Sequence, residues 1–171
     1  MVTSDFIFEI FEIKTLPVPI WDIIKYFGFD VHYSRWEGYP SYSFYNSIVL
    51  NLNYEPSVFG LCAAYELCRL INDTNKCSEH LKGIINPHEM AKYMSINIML
   101  PKYLLFRERS MPLKNLSEKC NVPFRVMGIR ANELHRYREL KGIPYWAGVD
   151  NRRYKFDRTD KQEKEPFNIF F

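Results

Sequence analysis

Several things are scarce in this chain, and each scarcity removes a class of protein. Only seven of its 171 residues are glycine. No glycine-rich loop of the kind that cradles phosphates is present, and no G-x-S-x-G nucleophile elbow. The four cysteines, Cys62, Cys68, Cys77 and Cys120, form no disulfide framework, and no basic, apolar leader precedes them in MVTSDFIFEIFEIK. A reducing, cytoplasmic setting with the thiols as small buried hydrophobes is therefore expected. No stretch approaches the roughly 20 uncharged apolar residues that a membrane span needs. Internal repeats and low-complexity tracts are also missing.

The chain is, by contrast, rich in apolar side chains, at 47%, which suffices for one compact core. Its aromatic content of 16% predicts a core rich in Phe and Tyr. The net charge of +3 is too mild to argue for nucleic acid by itself. It is unevenly spread: Lys102 to Lys141 holds ten Lys/Arg against four Asp/Glu. Such an excess suits DNA or an acidic partner, and equally a solvated helical surface, which is the plainer reading.

The pattern predicts a helix over 4–14, with Asp5, Glu9 and Glu12 opposite Phe6, Ile7, Ile10 and Phe11. A second helix is expected over 20–27, opened by Pro19 and closed by Gly28. Aromatic and β-branched residues mark strands at 29–36 and 41–53. Helices then follow from Pro56 to about Ile71 and from Pro87 to about Leu105, with a helix pair over 112–140 split at Asn121–Val122–Pro123. The order is that of an α+β domain over 1–144 with a small sheet packed by helices and a C-terminal helix pair. A charged and aromatic tail is expected over 145–171.

Residues 62–71, CAAYELCRLI, have the outline of a zinc-protease helix without its histidines. An H-E-x-x-H helix holds Zn²⁺ between histidines at i and i+4, and the intervening Glu activates the metal-bound water. Here Tyr65 and Arg69 stand where the histidines would, and Glu66 stands where the Glu would. The chain resembles the ImmA/IrrE-like metallopeptidases over most of 16–140. LPVPIWDIIKYFGFDV and SIVLNLN are similar to the family's leading segment and short sheet. Ala64–Tyr65–Glu66–Leu67–Cys68–Arg69–Leu70 aligns with its A-H-E-L-G-H, and Met90 through Pro101 aligns with its E-A-N-x-F-A-A-x-L-L-M-P. A third landmark is matched loosely by Leu116–Ser117, Cys120 to Pro123 and Arg130–Ala131. The resemblance implies a zincin-like fold in which all three ligand positions are replaced, by Tyr65, Arg69 and Met90. A neutral phenol binds zinc poorly, a guanidinium cannot coordinate at all, and a thioether suits softer metals.

These replacements imply a catalytically inactive protein with no cofactor and Glu66 as a vestige. A Glu66–Arg69 ion pair at i, i+3 is expected to fill the former metal cavity, closed by Tyr65 and Met90. A displaced metal site would have to draw on Cys62, Cys68, Cys77, His80, His88 and Glu89, where only Cys77-x-x-His80 has ligand-like spacing.

The family's members typically recognise and cleave repressors of mobile elements and stress regulons. The functional expectation is accordingly protein–protein binding, to a repressor or to a host or defence protein. The Phe-, Tyr-, Lys- and Asn-rich composition is associated with phages and other mobile elements of low-GC bacteria. Aromatics at Trp36, Tyr39, Tyr42, Tyr45 and Trp146 are the interface candidates, with strand alternation expected to turn about half of them inward. An aromatic strand edge near 41–53 also suits pairing between two chains.

Two alternatives remain. One is a peptidase with an unconventional site that cleaves a helix-turn-helix repressor. The other is a DNA-binding regulator working through 102–141, with Arg125, Arg130 and Asn132 as the few polar side chains of an otherwise apolar second helix.

Overall fold

A computed structural model describes residues 4–74 and 87–141, with side chains over 7–71 and 87–136. The 145–171 tail, the 144/145 boundary, Cys77, His80 and Trp146 lie outside the described residues. Within them the chain is mixed α+β: α1 (Ser4–Ile10), α2 (Ile20–Tyr26), β1 (Asp30–Ser34), β2 (Ser41–Phe44), β3 (Ser47–Asn51), α3 (Pro56–Thr74), α4 (Pro87–Met99), α5 (Lys102–Arg107), α6 (Leu113–Cys120) and α7 (Phe124–Lys141).

Proline sets most of the helix starts. α3 and α4 begin on a proline, and α2, α5, α6 and α7 begin immediately after one. Proline's fixed φ is pre-set for a first turn, and its missing N–H would find no partner there anyway. Two expected boundaries are corrected, the first of them by proline. The segment 87–105 is not one helix, because Pro101 takes an extended ψ of 128° and separates α4 from α5. Segment 4–14 stops being helical after Ile10, and Glu12 adopts a φ of +44°. α2 ends as the sequence indicates, with Gly28 at φ +77°.

The stretch 41–53 is likewise not one strand. It is a hairpin whose two-residue turn, Tyr45–Asn46, puts Tyr45 at φ +50°. β2 pairs antiparallel with β3, and β1 pairs parallel with β3, so the strand order is β1-β3-β2. The inner face carries Ile48 and Leu50, both fully buried, and lies against α3. The outer face carries Tyr42 and Phe44, both exposed.

α3 is the centre of the molecule. It packs on α4, α2, β2 and β3. From Gly60 to Ile71 every residue except Arg69 is buried. A helix apolar around almost its whole circumference is a core helix.

The core itself is aliphatic. Among the described residues the only aromatics in it are Phe29 and Tyr65, the rest being Ile, Leu, Val, Met, Ala and Cys. The expected Phe- and Tyr-rich core is therefore wrong. Several of the described aromatics instead form edge-on pairs at the periphery, such as Phe8–Tyr103, Phe11–Tyr26 and Trp36–Tyr42. Close approach of α3 to β2, β3 and α4 favours small and aliphatic side chains, as at Ala63, Ala64 and Ala91.

Candidate functional site

The alternation of β2 decides what α3 meets. In Ser41-Tyr42-Ser43-Phe44 the period of two sends both serines to the inner face and both aromatics outward. Glu66 arrives from α3 directly beneath, with an exposure of 1%. Its carboxylate accepts from Ser41 Oγ at 3.0 Å and from Ser43 Oγ at 2.8 Å. Arg69, one turn on, donates from Nη1 to Glu66 Oε2 at 3.1 Å. The i, i+3 ion pair expected from the sequence is thus formed, and the two serines supply what the sequence reading missed. A buried carboxylate is tolerated when a cation and hydrogen-bond donors surround it, and Glu66 has all of these.

The neighbouring positions are also engaged. Tyr65 shares a hydrogen bond of 2.9 Å between its hydroxyl and His88 Nδ1, at the start of α4. Burial holds the Tyr65 phenol above its ordinary pKa, against the opposing pull of Arg69, so it stays neutral. Met90 is partly buried and packs against the hydrophobic core. Glu89 is exposed and pairs with Lys92 at 3.6 Å. The thiols of Cys62 and Cys68 are buried, and burial pushes both pKa values up, that of Cys62 to about 12. Among the described residues no three His, Cys, Asp or Glu side chains come together in a way that could hold a metal ion.

Tyr42 lies on the other side of the sheet, with Trp36 packed against it. Tyr39, Tyr42 and Tyr45 are exposed and Trp36 is half-buried, its ring 5.1 Å from Tyr42 in an edge-on pair. None of the four enters the core, so the expectation that half would turn inward fails. The serines take the inward positions of β2, while Trp36, Tyr39 and Tyr45 sit in loops outside the strand alternation. Phe44, which the sequence reading passed over, joins them, 4.3 Å from Tyr45. The loop ahead of β2 is held by the buried Asn51, whose Nδ2 donates to the carbonyls of Trp36 at 2.9 Å and Tyr39 at 3.0 Å. Tyr54 adds a hydroxyl bond to the Gly38 carbonyl.

The two arginine candidates separate. Arg125 is exposed on α7. Arg130 is buried and does not belong to a surface: its Nε donates to the Leu100 carbonyl at 3.2 Å, its Nη2 to Asn97 Oδ1 at 2.6 Å and its Nη1 to Glu133 at 3.0 Å. α6 and α7 meet through an αL Asn121, and Val126, Met127, Ala131 and Leu134 of α7 face the core. No family model matches this chain, and no curated protein or solved structure matches it either.

Proposed function

We propose that this chain is a zincin-like protein of the ImmA/IrrE type that has lost metal-dependent chemistry and acts by binding another protein. The observation that carries this reading is the state of Glu66. A general base in a zinc peptidase needs a free carboxylate oxygen beside a metal-bound water. Glu66 is instead sealed from solvent and held by Ser41, Ser43 and Arg69. The residues at the three ligand positions do not fit zinc: Arg69 is a permanent cation, the Tyr65 phenol is neutral and bonded to His88, and Met90 offers only a thioether.

The exposed aromatic face of Trp36, Tyr39, Tyr42 and Tyr45 supports binding, since aromatic rings are enriched at the centres of protein interfaces. The partner class that fits the resemblance is a regulator or defence protein of a host or mobile element, and the activity is occupancy rather than cleavage. The basic 102–141 region supports a DNA reading less well, because Arg130 is consumed inside the fold and α7 gives its apolar side to the core.

The test combines metal content with proteolysis. Purified protein dialysed against zinc should retain less than stoichiometric metal and leave a helix-turn-helix repressor uncut. One zinc per chain, with repressor cleavage that Glu66→Gln abolishes, would establish the peptidase reading instead.

A further inference from the structure

We infer that the free edge of β2 pairs antiparallel with the β2 edge of a second copy of this chain, forming a two-fold dimer centred on Tyr42. The inference rests on the reading of the aromatic face as an interface and gives its edge to a second copy, which competes with any other protein for the same rings; it does not depend on the loss of catalysis.

Strand order β1-β3-β2 leaves β2 as an outer strand among the described residues. Such an edge is a template for another strand, and most proteins protect it with charge, proline or a bulge. Here protection by charge is missing over an unusual length. From Gly38 to Tyr54 there is no charged residue, although Arg35, Glu37 and Glu55 flank the segment. The strand and the loops on either side of it display exposed rings: Tyr39 at 63%, Tyr42 at 45%, Phe44 at 63% and Tyr45 at 80%.

The backbone of this edge is self-complementary. In the β2–β3 register Tyr42 faces Val49 and Phe44 faces Ser47 across a two-residue turn, so both direct their N–H and C=O toward β3. Asn51 N–H donates to the Pro40 carbonyl, which continues the same parity. The groups of Ser41 and Ser43 then point to the open edge. An antiparallel partner with Tyr42 opposite Tyr42 sets each Ser41 against a Ser43 and completes four backbone hydrogen bonds. The next pairing sets Phe44 opposite Pro40, where neither chain has a bond to offer, so the missing proline N–H costs nothing.

The absence of charge is compatible with the same occupant. Two identical chains with a net charge of +3 repel, and an edge with no charge is the place where they can approach without a direct like-charge contact. A charged foreign strand would gain no counter-charge there. Weighted by their exposures, four such rings per copy offer at most roughly 1,000 Å² across the pair, near the lower bound for a specific interface. The dimer is therefore a reversible one, populated as concentration rises.

Sedimentation of the full chain from low to high micromolar concentration should show monomer passing to dimer, with no larger species. Phe44→Lys should hold the chain monomeric over that range with an unchanged far-UV spectrum, because Phe44 is exposed and Lys protects an edge. In the proposed register opposed Tyr42 Cα atoms lie about 4.5 Å apart, inside the range a disulfide spans. Tyr42→Cys in a Cys77→Ser background should thus form an oxidised dimer efficiently, and Tyr93→Cys, exposed on α4, should not. A chain that stays monomeric at every concentration, or equal crosslinking at Tyr42→Cys and Tyr93→Cys, overturns the inference. If the monomeric chain still binds a repressor through Trp36 and Tyr45, self-association alone has failed; repressor cleavage would instead count against the proposed function.

Discussion

The carboxylate of Glu66 depends on one partly exposed neighbour. Arg69 keeps about a third of its side chain in solvent, whereas the Glu66 side chain keeps 2%. Removing the guanidinium leaves a buried anion held only by two serine hydroxyls, a loss of about 3 kcal/mol by comparison with other broken buried pairs. Arg69→Met should therefore shift the urea midpoint well down. The double variant Glu66→Met/Arg69→Met should recover part of that loss, because the uncompensated charge is gone while Ser41 and Ser43 each lose an acceptor, at about 1 kcal/mol apiece. A double variant no more stable than Arg69→Met would mean that the pair contributes little. The ion pair was legible in the sequence from the i, i+3 spacing alone. The serines were not, since the period of β2 could be applied only once the hairpin turn at Tyr45–Asn46 was known, and a single strand over 41–53 hides that turn. The thiols give a pH-dependent companion. Burial pushes Cys62 and Cys120 from 9.0 to about 12. Unfolded thiols lose their protons near pH 9 and the folded ones retain them, so the folded state binds more protons between about pH 9 and 12. The contribution is complete below pH 9 and declines as pH rises through that window. Urea midpoints measured upward from pH 8 should fall above pH 9, and the fall should shrink in Cys62→Ala and Cys120→Ala.

The end of α4 is closed by a polar side chain that comes from another element. α4 stops at Met99, and its C-terminal carbonyls would be orphaned where Pro101 forbids a continuing helix. Arg130 of α7 takes the Leu100 carbonyl and Asn97 at once, tying the end of α4 to the middle of α7. An arginine fork spans two acceptors that a single ammonium cannot. Arg130→Ala should cost about 3 kcal/mol through unpaired buried groups, and Arg130→Lys should recover less than half of that. Full rescue by Lys, read from chemical denaturation, would show that charge rather than the fork matters. Helix starts other than that of α5 were the most legible feature of the sequence, because proline marks most of them. Helix ends were harder. The break at Pro101 was visible as a residue but masked by apolar periodicity that runs from α4 into α5 with Leu100, Leu104 and Leu105 all buried. Arg130 was misread as a surface cation for a related reason: sequence shows that an arginine lies on a helix, and only packing shows which carbonyls lie within its reach.

At the scale of the whole molecule one helix organises the rest, and this fixes how the chain should unfold. α3 is packed by α4, α2, β2 and β3, and its side chains from Leu61 to Ile71, Arg69 apart, are withdrawn from solvent. The sheet has its inner face on α3 and its outer face, with Tyr42 and Phe44, toward solvent. Among the described residues it therefore has no second layer to hold it once α3 is lost, and three short strands are not stable alone. Leu67 is fully buried at the centre of this arrangement. Truncation to Ala removes its transfer energy and leaves a cavity, together about 3 kcal/mol. If α3 couples the helical and sheet halves into one cooperative unit, Leu67→Ala should lower the denaturation midpoint equally for far-UV dichroism, which reads mainly the helices, and for Trp36 fluorescence in a Trp21→Phe/Trp146→Phe background, which reads the sheet loop. Amide exchange should be slowest in α3 and β3, whose backbones lie deepest, and fastest within the sheet at β1 and β2, each of which has a partner on one side only. Separate midpoints for the two probes would mean that the sheet can detach from α3 while the helices persist. In that case the aromatic face would be carried by a part of the molecule that opens on its own, and its partner would meet a mobile strand rather than a fixed edge.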